Sequence, residues 1–220
     1  MALKKKKISR KELLKKPDEF ITTSNRIYAW ISRNLNAVIL TVVAVILTGA
    51  AVWGYLAYRS SREAQAQQKY FAAVDLKETE QKIKSLKSVT ADFSGTGGSD
   101  KAWVSLGHLF FQKKEYPQAI QAYQTALGGG RFSQEFQTLI RENLAYAQEE
   151  KGDLKAAADL FSQITNGTDP LLKENALLNL ARVYSKMGQP KEAKAALQNF
   201  LKAYPNSNYA PLVRDRLARL

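Results

Sequence analysis

The 220-residue chain contains no cysteine and a single histidine, His108. Disulfides and thiolate metal sites are therefore excluded, and an exported domain must rely on packing alone. One imidazole leaves no pair of nitrogen ligands for zinc and no second histidine to support a proton relay. Proline and glycine are missing from residues 59–91, so nothing local interrupts a helix there. Charge is missing from residues 34–58, a run of 25. A buried core helix rarely extends so far without a polar face.

That uncharged run is what the rest of the chain is organised around. At about 1.5 Å per residue its apolar heart, residues 37–56, covers about 30 Å, the thickness of a bilayer's hydrocarbon core. Trp53, Tyr55 and Tyr58 sit near its far edge, and Tyr28 and Trp30 precede its near edge, where amphipathic rings prefer the interface. A cleaved signal peptide has an apolar region of only about 7–15 residues near the extreme amino end. Here the run is longer and begins only at residue 34, so it reads as an uncleaved transmembrane helix over 34–58. Residues 1–33 hold ten Lys/Arg against three Asp/Glu. Short basic flanks stay in the cytoplasm, which places this leader inside and residues 59–220 outside. In a bacterium with two membranes that means an inner-membrane, single-pass protein with a periplasmic carboxy-terminal domain. The formal charge of +13 raises nucleic acid as a partner class. More than half of it is the leader patch, which topology and anionic lipid already explain, so the lipid bilayer is the expected partner and nucleic acid is not.

Taken in order, 1–33 is a basic cytoplasmic leader. Within it Phe20, Ile21, Ile27, Trp30 and Ile31 recur at helical spacing, as in a helix lying on the inner membrane surface. Residues 59–91, rich in helix formers, read as a helical stalk continuing the membrane helix. The glycine-rich stretch 92–100 reads as a loop, with Ser99 or Asp100 capping the next helix. A phosphate cradle would need a Gly-Lys-Ser/Thr ending, which this loop lacks.

From Trp103 the chain repeats itself. The first copy has Trp103, Leu106, Gly107 and Phe110, then Ala119, Tyr123 and Ala126, matching the tetratricopeptide pattern. A second carries Leu144 and Ala145, then Ala157 and Phe161. The third carries Leu177, Leu180, Ala181 and Tyr184, then Ala193 and Leu197. Small residues let two antiparallel helices approach closely, and the large ones fill the gaps between hairpins. The expected fold is all-α: a transmembrane helix, three tetratricopeptide (TPR) hairpins over 101–205, and a capping helix over 206–220. In that last helix Tyr209, Leu212, Val213, Leu217 and Leu220 form an apolar stripe, while Arg214, Asp215, Arg216 and Arg219 face water.

Anchor, stalk, three hairpins and cap resemble the YfgM-type ancillary subunit of the bacterial Sec translocon. The resemblance implies an amino-in anchor, a periplasmic repeat domain, and association with the translocon and periplasmic chaperones. Segment 204–210 also looks like repeat ends of envelope-assembly proteins. A scaffold for outer-membrane or envelope assembly or polysaccharide export is thus an alternative. A self-assembling membrane protein, homo-oligomeric through Ala50-x₃-Gly54, is another. In this fold the first helix of each hairpin lines a concave groove. By register that groove holds Val104, His108, Phe111 and Gln112, then Glu142, Tyr146 and Glu149, then Leu178, Arg182 and Ser185, a mixed surface suited to a protein segment. A carboxylate clamp for chaperone tails needs lysine and asparagine where Val104 and His108 stand, so none is expected. No nucleophile, base and oxyanion site assembles, so neither enzymatic activity nor a cofactor is expected.

Overall fold

A computed structural model describes residues 19–167 and 170–219, apart from some side chains at the edges of these spans. The chain divides into two compact units, residues 1–58 and 59–220. Among the described residues every regular element is a helix. The first unit holds α1 (Glu19–Arg33) and the start of α2 (Leu35–Val74), separated by Asn34 alone. In α2 an 18-residue window has a mean hydropathy of 2.4 and none of it is buried. By length and composition this is a candidate single membrane span. Its two threonine hydroxyls are satisfied within the helix, because Thr41 and Thr48 each donate to the carbonyl four residues back, Ala37 and Ala44, at 2.8 Å. In α1, Ile27, Tyr28 and Trp30 are exposed. The basic residues before Glu19 lie outside the described part.

The second unit is a stack of hairpins. After the end of α2 come α3 (Thr79–Asp92), α4 (Gly97–Gln112), α5 (Tyr116–Gly128), α6 (Gln134–Lys151), α7 (Leu154–Thr165), α8 (Pro170–Lys186), α9 (Pro190–Ala203) and α10 (Ala210–Ala218). Each packs on the next. Two apolar clusters result: one runs from Ala73 through Leu86, Leu106 and Tyr123 to Ala147, the other from Ala145 through Phe161, Leu197 and Phe200 to Val213. They meet on α6.

Two expectations need correction. The stalk is not one helix, since the chain reverses at residues 75–78 and returns as α3. Reversal lets Ile83, Leu86 and Val89 bury against the first hairpin instead of facing water, and burial of that size overrides helix propensity. The expected loop over 92–100 is confined to 93–96. Its cap is Thr96, whose hydroxyl accepts from Ser99 N–H at 3.1 Å, while buried Asp100 pairs with Arg131 at 2.8 Å. Gly97 and Gly98 form the first turn of α4. Their N–H groups donate to the two oxygens of Glu63 on α2, at 2.7 and 3.1 Å, so a carboxylate from another helix satisfies the orphan donors and faces the positive end of the helix dipole. Burial pushes the Glu63 carboxyl up, but bonds from Gln67 and these amides, with Lys101 nearby, hold it below its ordinary value. A methyl at Gly98 would lie 2.6 Å from the Ala66 carbonyl carbon, so glycine is what lets α2 and α4 touch. The distal part of α2 with α3 thus forms an extra hairpin ahead of the three repeats.

Long-range side-chain bonds repeat the period. Gln67 to Lys101, Tyr70 to Ser105, Tyr116 to Glu150, Tyr146 to Asn179 and Glu149 to Arg182 each join positions 33–35 residues apart. The three hairpin turns are built alike too. In each, two successive residues past the first helix bond back to it: Lys114 N–H to Phe111 O and Glu115 N–H to Phe110 O, then Gly152 to Glu149 and Asp153 to Gln148, then Gly188 to Ser185 and Gln189 to Tyr184. Gly152 and Gly188 have φ of 95° and 69°, and Lys114 takes the same left-handed conformation at 62°. A β-carbon is disfavoured there by about 1–2 kcal/mol. Lys114→Gly should therefore stabilise the chain by about 1 kcal/mol, read as a raised urea midpoint in detergent.

Of the residues expected to pack the repeats, Leu106, Gly107, Ala119, Tyr123, Ala126, Leu144, Ala145, Ala157, Phe161, Leu180, Ala181, Ala193 and Leu197 are buried; Trp103 and Tyr184 are half-buried against the two clusters. In the last helix Val213 is buried and Leu217 partly so, but Tyr209 and Leu212 lie exposed. Leu220 lies outside the described residues.

Candidate protein-binding face

The first helices of the repeats, α4, α6 and α8, present one common face. On α4 the structure corrects one expected groove residue. Val104 is buried in the first cluster, on a stretch of α4 that also bonds to α2 through Lys101 to Gln67 (3.0 Å) and Tyr70 to Ser105 (3.3 Å). The open end of α4 carries His108 and Gln112, both exposed, with half-buried Phe111 between them, its ring edge-on to Tyr116 at 5.7 Å. The His108 ring meets Tyr123 edge-on at 5.5 Å. The side of the ring packed on Tyr123 is desolvated, which pushes the pKa below the ordinary histidine value and favours the neutral form at physiological pH, while the rest of the residue stays open to solvent.

On α6 and α8 the expected groove residues mostly bind one another. The Tyr146 hydroxyl donates to Glu142 (3.3 Å) and accepts from Asn179 (2.7 Å), while its ring stands edge-on to Phe161 at 5.4 Å. Burial pushes the pKa of both Glu142 and Tyr146 up. Arg182 donates to Asn179 (3.1 Å) and to Glu149, and Lys186 reaches the same Glu149 oxygen at 2.6 Å. Glu149 is a buried carboxylate with 2% side-chain exposure, so burial alone raises its pKa; the two cationic partners overcome that and hold it below the ordinary value. Leu178 is half-buried against the second cluster, and Ser185 is exposed with its hydroxyl on the Ala181 carbonyl. The face therefore has an open aromatic and polar part on α4 and a self-satisfied polar seam joining α6 to α8. Asn179 was missed because it stands one position off the groove register. Arg216 and Arg219 were missed because they were assigned to water. Both line a cavity of about 430 Å³ with Arg182 and Lys186 at the end of this face.

Among the described residues no group of three His, Cys, Asp or Glu is placed to hold a metal ion.

The family model described as a tetratricopeptide repeat-like domain matches residues 28–169, well over half the chain. This chain belongs to that family. A tetratricopeptide repeat model also matches residues 175–207, over the third hairpin. The TPR repeat-containing protein of Treponema pallidum is 29% identical over 115 residues, 52% of this chain and 48% of that protein. Lipopolysaccharide assembly protein B of Escherichia coli K12 is 24% identical over 170 residues, 74% of this chain and 43% of that protein. The chain thus spans about half the length of the curated relatives it matches. Among solved structures, a tetratricopeptide repeat protein from Parabacteroides merdae aligns with a TM-score of 0.58 at 18% identity, covering 71% of this chain and 59% of that one. Pseudomonas aeruginosa pilF aligns at 0.50 with 19% identity, covering 73% and 68%. These likenesses are of fold. Repeats of this family are protein–protein interaction modules, typically scaffolds rather than enzymes.

Proposed function

We propose that this protein is a non-enzymatic adaptor, held in the bacterial inner membrane by α2, whose periplasmic repeats gather other proteins for cell-envelope assembly. The observation that carries this reading is the pairing, in one chain, of an apolar helical segment with nothing buried on it and a tetratricopeptide stack whose face is partly open. The similarity to lipopolysaccharide assembly protein B supports the envelope assignment. The basic flank ahead of the anchor supports the periplasmic orientation. A second reading, an ancillary role at the Sec translocon, is favoured by the layout of anchor, extra hairpin, repeats and cap. The groove is carried by His108, Phe111 and Gln112, the part of the face not consumed by internal bonds.

The test places a photoreactive residue at Gln112 or Ser185, both exposed, and at Gln124 on the second helix of the first hairpin as a control, in native membranes. The expected result is crosslinking to proteins from the first two sites and not from the third. Adducts to envelope-assembly proteins support the first reading, and adducts to translocon subunits the second. Equal adducts from all three sites, or none from any, would overturn the groove.

A further inference from the structure

The cavity where α8, α9 and α10 meet has a charge problem that the protein does not solve by itself. Four cationic side chains line it: Arg182, Lys186, Arg216 and Arg219. Two carboxylates oppose them. Glu149 is shared by Arg182 and Lys186, and Asp215 pairs with Arg219 at 2.8 Å. Arg216 has no ion-pair partner among the described residues. Two positive charges therefore remain over tightly packed helices, with Ala181 and Leu197 buried beneath them. Cations gathered in a concave site with low-dielectric walls raise the local potential and draw in an opposite charge. The volume, about 430 Å³, is in the range of ligand pockets and well above what a single ion fills.

We propose that this cavity is a second docking point, which takes a carboxylate of an acidic protein segment. It deepens the adaptor reading and rests on it. Arginine suits the role because its planar fork holds a carboxylate through two parallel hydrogen bonds. The size of the cavity, well above that of one anion, and its continuity with the repeat face through Arg182, Ser185 and Lys186 argue for a peptide over a free anion. The site uses other elements than the open part of α4, so a partner that lies along the face meets aromatic and polar groups at one end and cations at the other.

The test titrates the full chain in neutral-detergent micelles with a fluorescent acetylated peptide, Gly-Ser-Glu-Glu-Leu-Glu-Glu-Leu, followed by anisotropy. The same peptide with glutamine for glutamate, and one with an amidated end, serve as comparisons. The acidic peptide should bind, the glutamine peptide at least about tenfold more weakly, and the affinity should fall with added salt. Loss on amidation assigns the terminal carboxylate, and retention assigns the side chains. Arg216→Gln with Arg219→Gln should weaken binding about tenfold while leaving the thermal unfolding midpoint unchanged, because both residues are exposed. Arg216→Lys should lose less. Equal binding of acidic and glutamine peptides, no effect of the arginine pair, or full displacement by millimolar inorganic phosphate would overturn the proposal. Crosslinks from Gln112 would survive that failure, so the adaptor reading stands or falls separately.

Discussion

Phe161→Ala should cost the repeat unit about 3–5 kcal/mol, the range for emptying a fully buried aromatic site. Phe161 is 0% exposed at the centre of the second cluster, against the edge of Tyr146 and beside Leu197 and Phe200. The surrounding helices cannot close the gap cheaply, because Ala145, Ala157, Ala181 and Ala193 already bring them to close approach. The loss should also be local. A hairpin stack is held by contacts between neighbours, so its stability is a sum of repeat and interface contributions. Hydrogen exchange on the variant should show protection falling in α7, α8 and α9 while α3, α4 and α5 keep theirs. A uniform loss from α3 to α10 would mean the two clusters fold as one unit.

The repeats were legible because their signal is dense and local. Gly107, Ala145 and Ala181 recur under large residues at one spacing, and only close-packed hairpins need that pattern. The chain reversal at 75–78 had no such signal. No proline or glycine stands there; what holds the returning chain is distant, namely the bonds that the first amides of α4 donate to Glu63 and the close approach of Ala66 to Gly98. Gly97 and Gly98 were visible as glycines, yet glycine marks a loop and a tight helix contact equally well. Val104 was misplaced because register alone does not tell how closely neighbouring helices pack: it is buried, while its equivalents Glu142 and Leu178 are only partly so. The seam on α6 and α8 was half readable. Glu149 and Arg182 fall at groove positions, but their mutual pairing depends on two helices meeting in register one repeat apart. Arg216 and Arg219 looked like solvated charges on a polar face, and only the packing of α10 against α8 and α9 turns them toward a cavity.

That seam yields a second large effect, in which removing cations should do more harm than removing the anion. Arg182→Ala with Lys186→Ala leaves Glu149, 2% exposed, with no compensating charge. Stripping the partners from a buried ion costs about 3–5 kcal/mol, and the lower end, about 3, applies because the cations are 32% and 49% exposed and their pairing is partly screened. Glu149→Gln leaves two cations that can turn to water, so it should cost less. The pH dependence separates the two cases. In the native chain Glu149 titrates below its ordinary range, so its contribution is fully present at neutral pH and is lost as pH falls through and below that range. In the double variant only burial acts, the folded pKa rises above the unfolded one, and the sign reverses: stability then falls as pH climbs through the carboxylate range. Urea midpoints at about pH 4 and about pH 7 read this directly. The native chain should gain from Glu149 on going to the higher pH, the double variant should lose relative to it, and Glu149→Gln should remove this group's share of the slope. Equal slopes in all three would mean that Glu149 is solvated, and that the pairing joining α6 to α8 contributes little.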